Sequence, residues 1–256
     1  MSMKFTTAPI KQALTYPFQD EKWQSKLLIG LLVLILGVFI PIVPALVLYG
    51  YLYQIMERVL VGDGELHLPD WNDWGQHLGE GWRLFCVYFL YLLPAGVFYM
   101  GGFVAYITGV MSMSVFAEAS SASGSAIILL FYACMGILFV CMGIGMVFSI
   151  CASLALPPAI CNTVKNGSFK SAFKFSEWWP VLKANLGGFL IALLLILGMY
   201  GVIMVISQIL YMTVICCCLM YVVSFIGGYY LSLVVAGLIP LVYKEGLEKL
   251  AEQQAV

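Results

Sequence analysis

Between Ala184 and Tyr243 this chain carries no Asp, Glu, Lys or Arg. A helix rises ~1.5 Å per residue and the hydrocarbon core of a bilayer is ~30 Å thick, so about 20 apolar residues cross it once. The run is long enough to cross twice, with the expected turn at Ser207 and Gln208. Three more uncharged stretches run from Leu27 to Met56, Leu84 to Val110 and Ala126 to Pro158. Composition agrees, with 62% of residues hydrophobic and 10% charged, against roughly 25% charged in globular proteins. The chain therefore reads as an all-α, polytopic integral membrane protein. Its formal net charge of −1 provides no basic field for nucleic acid.

The polar residues fall into a few segments, and these decide the expected topology. Residues 4 to 26 hold Lys4, Lys11, Lys22 and Lys26 with Tyr16, Phe18 and Trp23 among them, the pattern of an amphipathic segment at a membrane surface. No cleavable signal peptide is expected there, because the apolar run behind it lacks a small-x-small site. Residues 57 to 83 form a polar island with both histidines, six of the thirteen acidic residues and three of the six tryptophans. Residues 162 to 183 are polar again, and residues 244 to 256 are a charged tail that could continue the last helix.

These four segments contain all twelve Lys and Arg residues, whereas the loops near 118 and 208 contain none. They also contain every tryptophan: Trp23, Trp71, Trp74, Trp82, Trp178 and Trp179. Cations collect in cytoplasmic loops and indoles at the membrane interface. Both patterns are met if the segments share the cytoplasmic face, which requires Leu27 to Met56 to be a hairpin turning at Ile40-Pro-Ile-Val-Pro44. The alternative is one kinked span that would put the island and residues 162–183 outside. The expected fold is about six membrane helices arranged as three hairpins, each preceded by a cytoplasmic amphipathic segment, in one domain with both termini cytoplasmic. At an offset of 157 residues, Tyr16, Phe18, Asp20, Lys26 and Gly30 align with Phe173, Phe175, Glu177, Lys183 and Gly187. Val59-x-x-Gly62 likewise matches Val164-x-x-Gly167, with a fainter copy at Tyr243-x-x-Gly246. These matches read as parallel repeats with units 4–57, 63–158 and 166–243.

The island carries the chemistry. On a helix beginning near Asp70, the side chains of Asp73, His77 and Glu80 share a face. With His67 they could hold a divalent metal or act as an acid–base pair. The same residues also read as a helix start, with Pro69 before an Asp70 N-cap and Asp73 completing a capping-box-like pair. The remaining charges would then be the wet face of an interfacial helix anchored by Trp71, Trp74 and Trp82. The second reading is preferred, so no metal, cofactor or catalytic residue is expected. Cys141, Gly145, Ser149 and Ser153 recur every four residues as a small-residue stripe for close helix packing, within the chain or against a second copy.

The eight cysteines lie in or at the edge of apolar runs without paired C-x-x-C spacing, so they read as small hydrophobes rather than zinc or disulfide ligands. The triple Cys216-Cys217-Cys218 has no reading beyond small-residue packing. No glycine cluster matches a nucleotide-binding pattern. Ion-coupled transport is disfavoured, since such proteins carry intramembrane charges and the runs here offer only Gln54, Asn162, Asn185 and Gln208. A pore lined by backbone or small residues stays open.

Tyr16-Pro-Phe18, Trp23, Tyr49-Gly-Tyr51, Gly62, Leu68-Pro-Asp-Trp71, Asp73, Gly81 and Leu93-Pro94 together resemble the pattern of a prokaryotic membrane family, Domain of Unknown Function 4013. The likeness covers most of the chain and is most specific across residues 41 to 100. The resemblance implies a multi-pass protein of a bacterial or archaeal cytoplasmic membrane, and implies no activity, cofactor or site. The function expected is a non-enzymatic scaffold or subunit, packing in the lipid bilayer against itself or another membrane protein. The alternative is a channel or facilitator for a small or lipid-like solute, gated by the island.

Overall fold

The computed structural model of the protein describes residues 7–40, 42–61, 66–120, 124–213 and 217–254, and every regular element among them is helical. α1 (Thr7–Thr15) runs into a short 3-10 helix (Tyr16–Phe18), followed by α2 (Trp23–Phe39) and α3 (Ile42–Leu60). The two longest helices are α4 (Trp74–Ser120) and α5 (Gly124–Asn166). A second 3-10 helix (Phe169–Phe173), α6 (Phe175–Ala184), α7 (Leu186–Met212) and α8 (Cys217–Gln254) complete the chain. Among the described residues, four stretches are long and apolar enough to cross a membrane: Trp74–Met113, Gly124–Asn166, Leu186–Met212 and Leu219–Gln254. Pro9–Phe18 and Trp23–Phe39 pass the same test together but are bent by 88°.

Local sequence explains the breaks. The Leu27–Met56 run divides after Phe39, where Ile40 adopts φ −127° and ψ 86°. Ile40 precedes a proline, and the proline ring pushes the preceding residue out of the helical region. Pro44 falls in the first turn of α3, where its missing N–H would have had no partner anyway. α5 ends at Gly167, whose φ of +60° is the left-handed cap conformation that glycine adopts without steric cost. The loop expected near residue 118 is corrected: α4 continues to Ser120 and α5 begins at Gly124. The serines and alanines there extend a helix already set by the apolar run. Residues 62–65, 121–123 and 214–216, with Gly62 and Cys216 among them, lie outside the described residues.

The chain divides into two compact units. The first comprises residues 1–87 and 157–256. Its axis is α8, which packs against α1, α2, α3, α6 and α7. Leu233, Val234, Ala236 and Leu238 of α8 are wholly buried, as are the large side chains of Tyr16, Tyr51, Tyr53, Trp178 and Tyr243. The N-terminal end of α4 enters this unit against α3. A β-carbon on Gly50 would collide with the backbone carbonyl of His77, and one on Gly81 with the carbonyl of Leu46. Glycine at both positions is what lets these two backbones touch.

The second unit comprises residues 88–156, the facing lengths of α4 and α5. Gly102 receives the Cys141 side chain and Gly109 receives Cys134. Seven residues forward on α4 thus correspond to seven residues back on α5. That is an antiparallel pair meeting every second turn, as in a left-handed coiled coil. Phe98 stacks on Phe148 with ring centroids 5.5 Å apart. The outer faces of this pair expose Phe103, Leu129, Phe139, Val140 and Met146, the surface expected toward lipid chains.

The α3–α4 crossing makes a direct prediction. Gly81→Ala should cost about 1–3 kcal/mol by forcing the helices apart. Gly79→Ala, where a β-carbon meets nothing within 4 Å, should be neutral or gain up to about 1 kcal/mol from helix propensity. Thermal unfolding of the two variants in one detergent compares them.

Candidate functional site

The island does not form a free surface helix. Its first part, residues 66–73, runs without regular helix over the start of α2 and the middle of α3, and Lys26 ties it down. The Lys26 ammonium donates to Asp20 Oδ2 at 2.6 Å and to the Leu68 carbonyl at 2.8 Å, and lies 3.0 Å from Asp70 Oδ1. The Lys26 backbone carbonyl accepts the Trp71 indole N–H at 3.0 Å. That indole lies flat on the Tyr51 ring, with centroids 4.0 Å apart and planes 3° from parallel. The Tyr51 hydroxyl donates to the Pro69 carbonyl at 3.2 Å. One lysine and one tyrosine therefore hold both ends of Leu68-Pro-Asp-Trp71. The Lys26 ammonium also holds the Asp20 carboxyl below its ordinary range, through the hydrogen bond first and the charge second.

His77, in the first turn of α4, points inward. It is fully buried, edge-on to Tyr51 at 5.9 Å and to Trp71 at 5.6 Å, and neither ring nitrogen completes a hydrogen bond. The expected N-cap is corrected from Asp70 to Asp73, whose carbonyl accepts the His77 N–H at 3.0 Å. The Trp71 indole and the Asp70 carboxylate are already committed to Lys26, so α4 begins only after them. Asp73 is exposed and His67 half-buried, while Glu80 accepts from Gln76 at 2.7 Å. Asp73, His77 and Glu80 thus do not share one wet face. Among the described residues, no three His, Cys, Asp or Glu side chains converge as metal ligands.

A second cluster fastens residues 162–185. Asn162 Nδ2 donates to the Ser171 carbonyl and to Glu177 Oε2, both at 2.9 Å, and Asn166 donates to the same carboxylate at 3.2 Å. Asn185 Nδ2 donates to the Val242 carbonyl at 2.9 Å, and Lys249 donates to Asn185 Oδ1 at 2.7 Å. The Trp178 indole N–H donates to the Ala172 carbonyl at 2.9 Å. Hydrogen bonds from Lys174 and then Asn162 lower the Glu177 pKa. The offset-aligned residues have different partners: Asp20 meets Lys26, but Glu177 meets Lys174 at 2.8 Å, and Lys183 lies 5.4 Å over the Trp179 ring.

Of the six tryptophans, Trp71 and Trp178 are buried, Trp23 is half-buried, and Trp74, Trp82 and Trp179 are exposed. In the stripe, Cys141 faces Gly102, Gly145 lies under the Tyr99 ring, and Ser149 Oγ is 3.2 Å from Tyr99 Oη. Ser153 donates to its own helix at Ile150, 2.8 Å away. Three of its four members therefore pack inside the chain. The roles of Tyr51 and Gly50 escaped the sequence reading, although Tyr49-Gly-Tyr51 was visible as a small-and-aromatic interruption of an apolar helix.

The family model described as "Protein of unknown function (DUF4013)" matches residues 33–212. No curated protein and no solved structure matches the chain.

Lys26→Met leaves the Leu68 carbonyl without its donor and should cost about 1–3 kcal/mol, measured by thermal unfolding in detergent. The depressed Asp20 pKa contributes stability that is whole above the ordinary carboxylate pKa of about 4 and lost as pH falls through the folded value. Melting scans from neutral to acid pH should therefore fall less steeply in Asp20→Asn than in the parent.

Proposed function

The chain belongs to the DUF4013 family of proteins of unknown function, and from that premise we propose that it is a non-enzymatic scaffold or subunit of a membrane assembly that associates with itself. The observation that carries this reading is how its buried polar side chains are used. Lys26, Asn162 and Asn185 each bind backbone carbonyls and carboxylates of neighbouring segments. The polar groups that the membrane makes most costly thus hold segments in register, while apolar faces of α5 and α7 such as Leu129, Val140, Leu194 and Val205 stay open to lipid or a neighbour.

In this reading the helices are three membrane hairpins, α2 with α3, the lengths of α4 and α5 in residues 88–156, and α7 with α8. Their amphipathic lead-in segments lie on the cytoplasmic face of a prokaryotic inner membrane, with both termini on that side. Residues 16–26 contact residues 66–77, and residues 162–185 contact residues 242–249; these contacts support it, because segments that touch share a side of the bilayer. A protein mass measured in detergent, corrected for bound detergent, should be a multiple of the 28.2 kDa chain or include a stoichiometric partner. A strictly monomeric mass with nothing co-purifying counts against the reading.

One observation favours the second reading, a facilitator for a lipid-like solute. A cleft of about 560 Å³ opens between α2, α3 and α8, lined mainly by apolar residues such as Val33, Gly37, Leu48 and Phe225, with Tyr229 among them. If it conducts, Gly37→Phe should abolish solute flux in proteoliposomes while leaving the oligomeric mass unchanged.

A further inference from the structure

We propose that a cleft beside Arg83 binds the headgroup of an anionic phospholipid, with an acyl chain laid along the apolar residues next to it. The cleft, about 370 Å³, is lined by Gly79, Trp82, Arg83, Cys86 and Phe169. Arg83 is the last charged residue before the apolar run that starts at Leu84, so it stands where headgroups give way to chains.

The guanidinium is held from one side only. Its Nη1 donates to the Tyr53 hydroxyl at 3.2 Å, and its carbon lies 5.7 Å over the Tyr53 ring. Tyr53 is itself 1% exposed, so the anchor is rigid. Among the described residues, no carboxylate lies within ion-pairing distance of Arg83. Arginine presents about five N–H donors in a planar fork that matches a phosphate, and Tyr53 takes one. The positive charge and the remaining donors therefore call for an anion, and the cleft beside them is where one fits.

The other lining residues identify what carries the anion. Trp82 is 54% exposed, and exposed indoles settle at the headgroup level. Cys86 and Phe169 continue the cleft as apolar wall, and Gly79 leaves its rim open, since a β-carbon there would meet nothing within 4 Å. A soluble phosphate has no use for such a wall, whereas a phospholipid fills both parts. Exposed Lys170, next to Phe169, adds positive potential of the kind that draws acidic lipid.

Native mass spectrometry of the full chain in mixed micelles tests this, with phosphatidylglycerol and phosphatidylcholine of identical chains supplied at equal concentration. The parent should retain phosphatidylglycerol over phosphatidylcholine by about fivefold, the weight of one interfacial cation. Arg83→Gln should abolish that preference. Cys86→Phe, which fills the cleft but keeps the arginine, should reduce retention of both lipids, and inorganic phosphate should displace neither. Gel-filtration profiles check that each variant is folded, and either variant alone is decisive. The proposal is overturned if the folded variants retain phosphatidylglycerol like the parent, if the two lipids are retained equally, or if inorganic phosphate displaces the bound lipid.

Discussion

Much of this structure depends on one ammonium group. Lys26 stands in the first turn of α2, its side chain 12% exposed, with Asp20, Asp70 and the Leu68 carbonyl around it. An exposed ion pair such as Lys174–Glu177 or Lys249–Glu245 contributes about 0–1 kcal/mol, because water screens the charges and the long side chains lose freedom. At Lys26 the solvent is largely replaced by fixed oxygens, and removing one partner leaves the others unsatisfied in a medium of low dielectric constant. That asymmetry makes it the node from which the island is placed. The island in turn positions Trp71 on Tyr51 and seals His77 beneath them.

The two units use opposite means to bring helices together. In the first, backbone meets backbone at Gly50 and Gly81, and polar side chains bind carbonyls across long sequence separations. In the second, α4 and α5 run side by side with cysteines set against glycines at seven-residue steps, and Tyr99 and Ser149 form a polar contact across the pair. Small residues gain close approach and dispersion without burying a polar group. That suits a region whose outer surface is mostly apolar.

The helical class, the membrane character and the positions of the polar segments were legible in the sequence because they follow from charge placement along apolar runs. The break near Ile40-Pro41 was legible too, since a proline restricts its predecessor. The orientation of the island was not. A period of three to four residues placed Asp73, His77 and Glu80 on one helical face, but that presumed a helix beginning at Asp70. Tertiary partners of Trp71 and Asp70 delayed the helix to Trp74 and turned His77 inward. The arginine cleft was hidden for the same reason: Arg83 and Phe169 are far apart in the chain, and no periodicity links α4 to the 3-10 helix at Phe169–Phe173. The small-residue stripe was visible, but whether it faced a neighbour within the chain or another copy depended on where α4 lay.

The Tyr16 hydroxyl donates to the Leu233 carbonyl at 2.8 Å, and the Tyr230 hydroxyl to the Leu14 carbonyl at 2.9 Å. The two contacts span 217 and 216 residues of sequence. Closing a loop of that length costs chain entropy before any contact repays it. The docking of α1 is therefore a late event, possible only once α8 has found its place among the other helices.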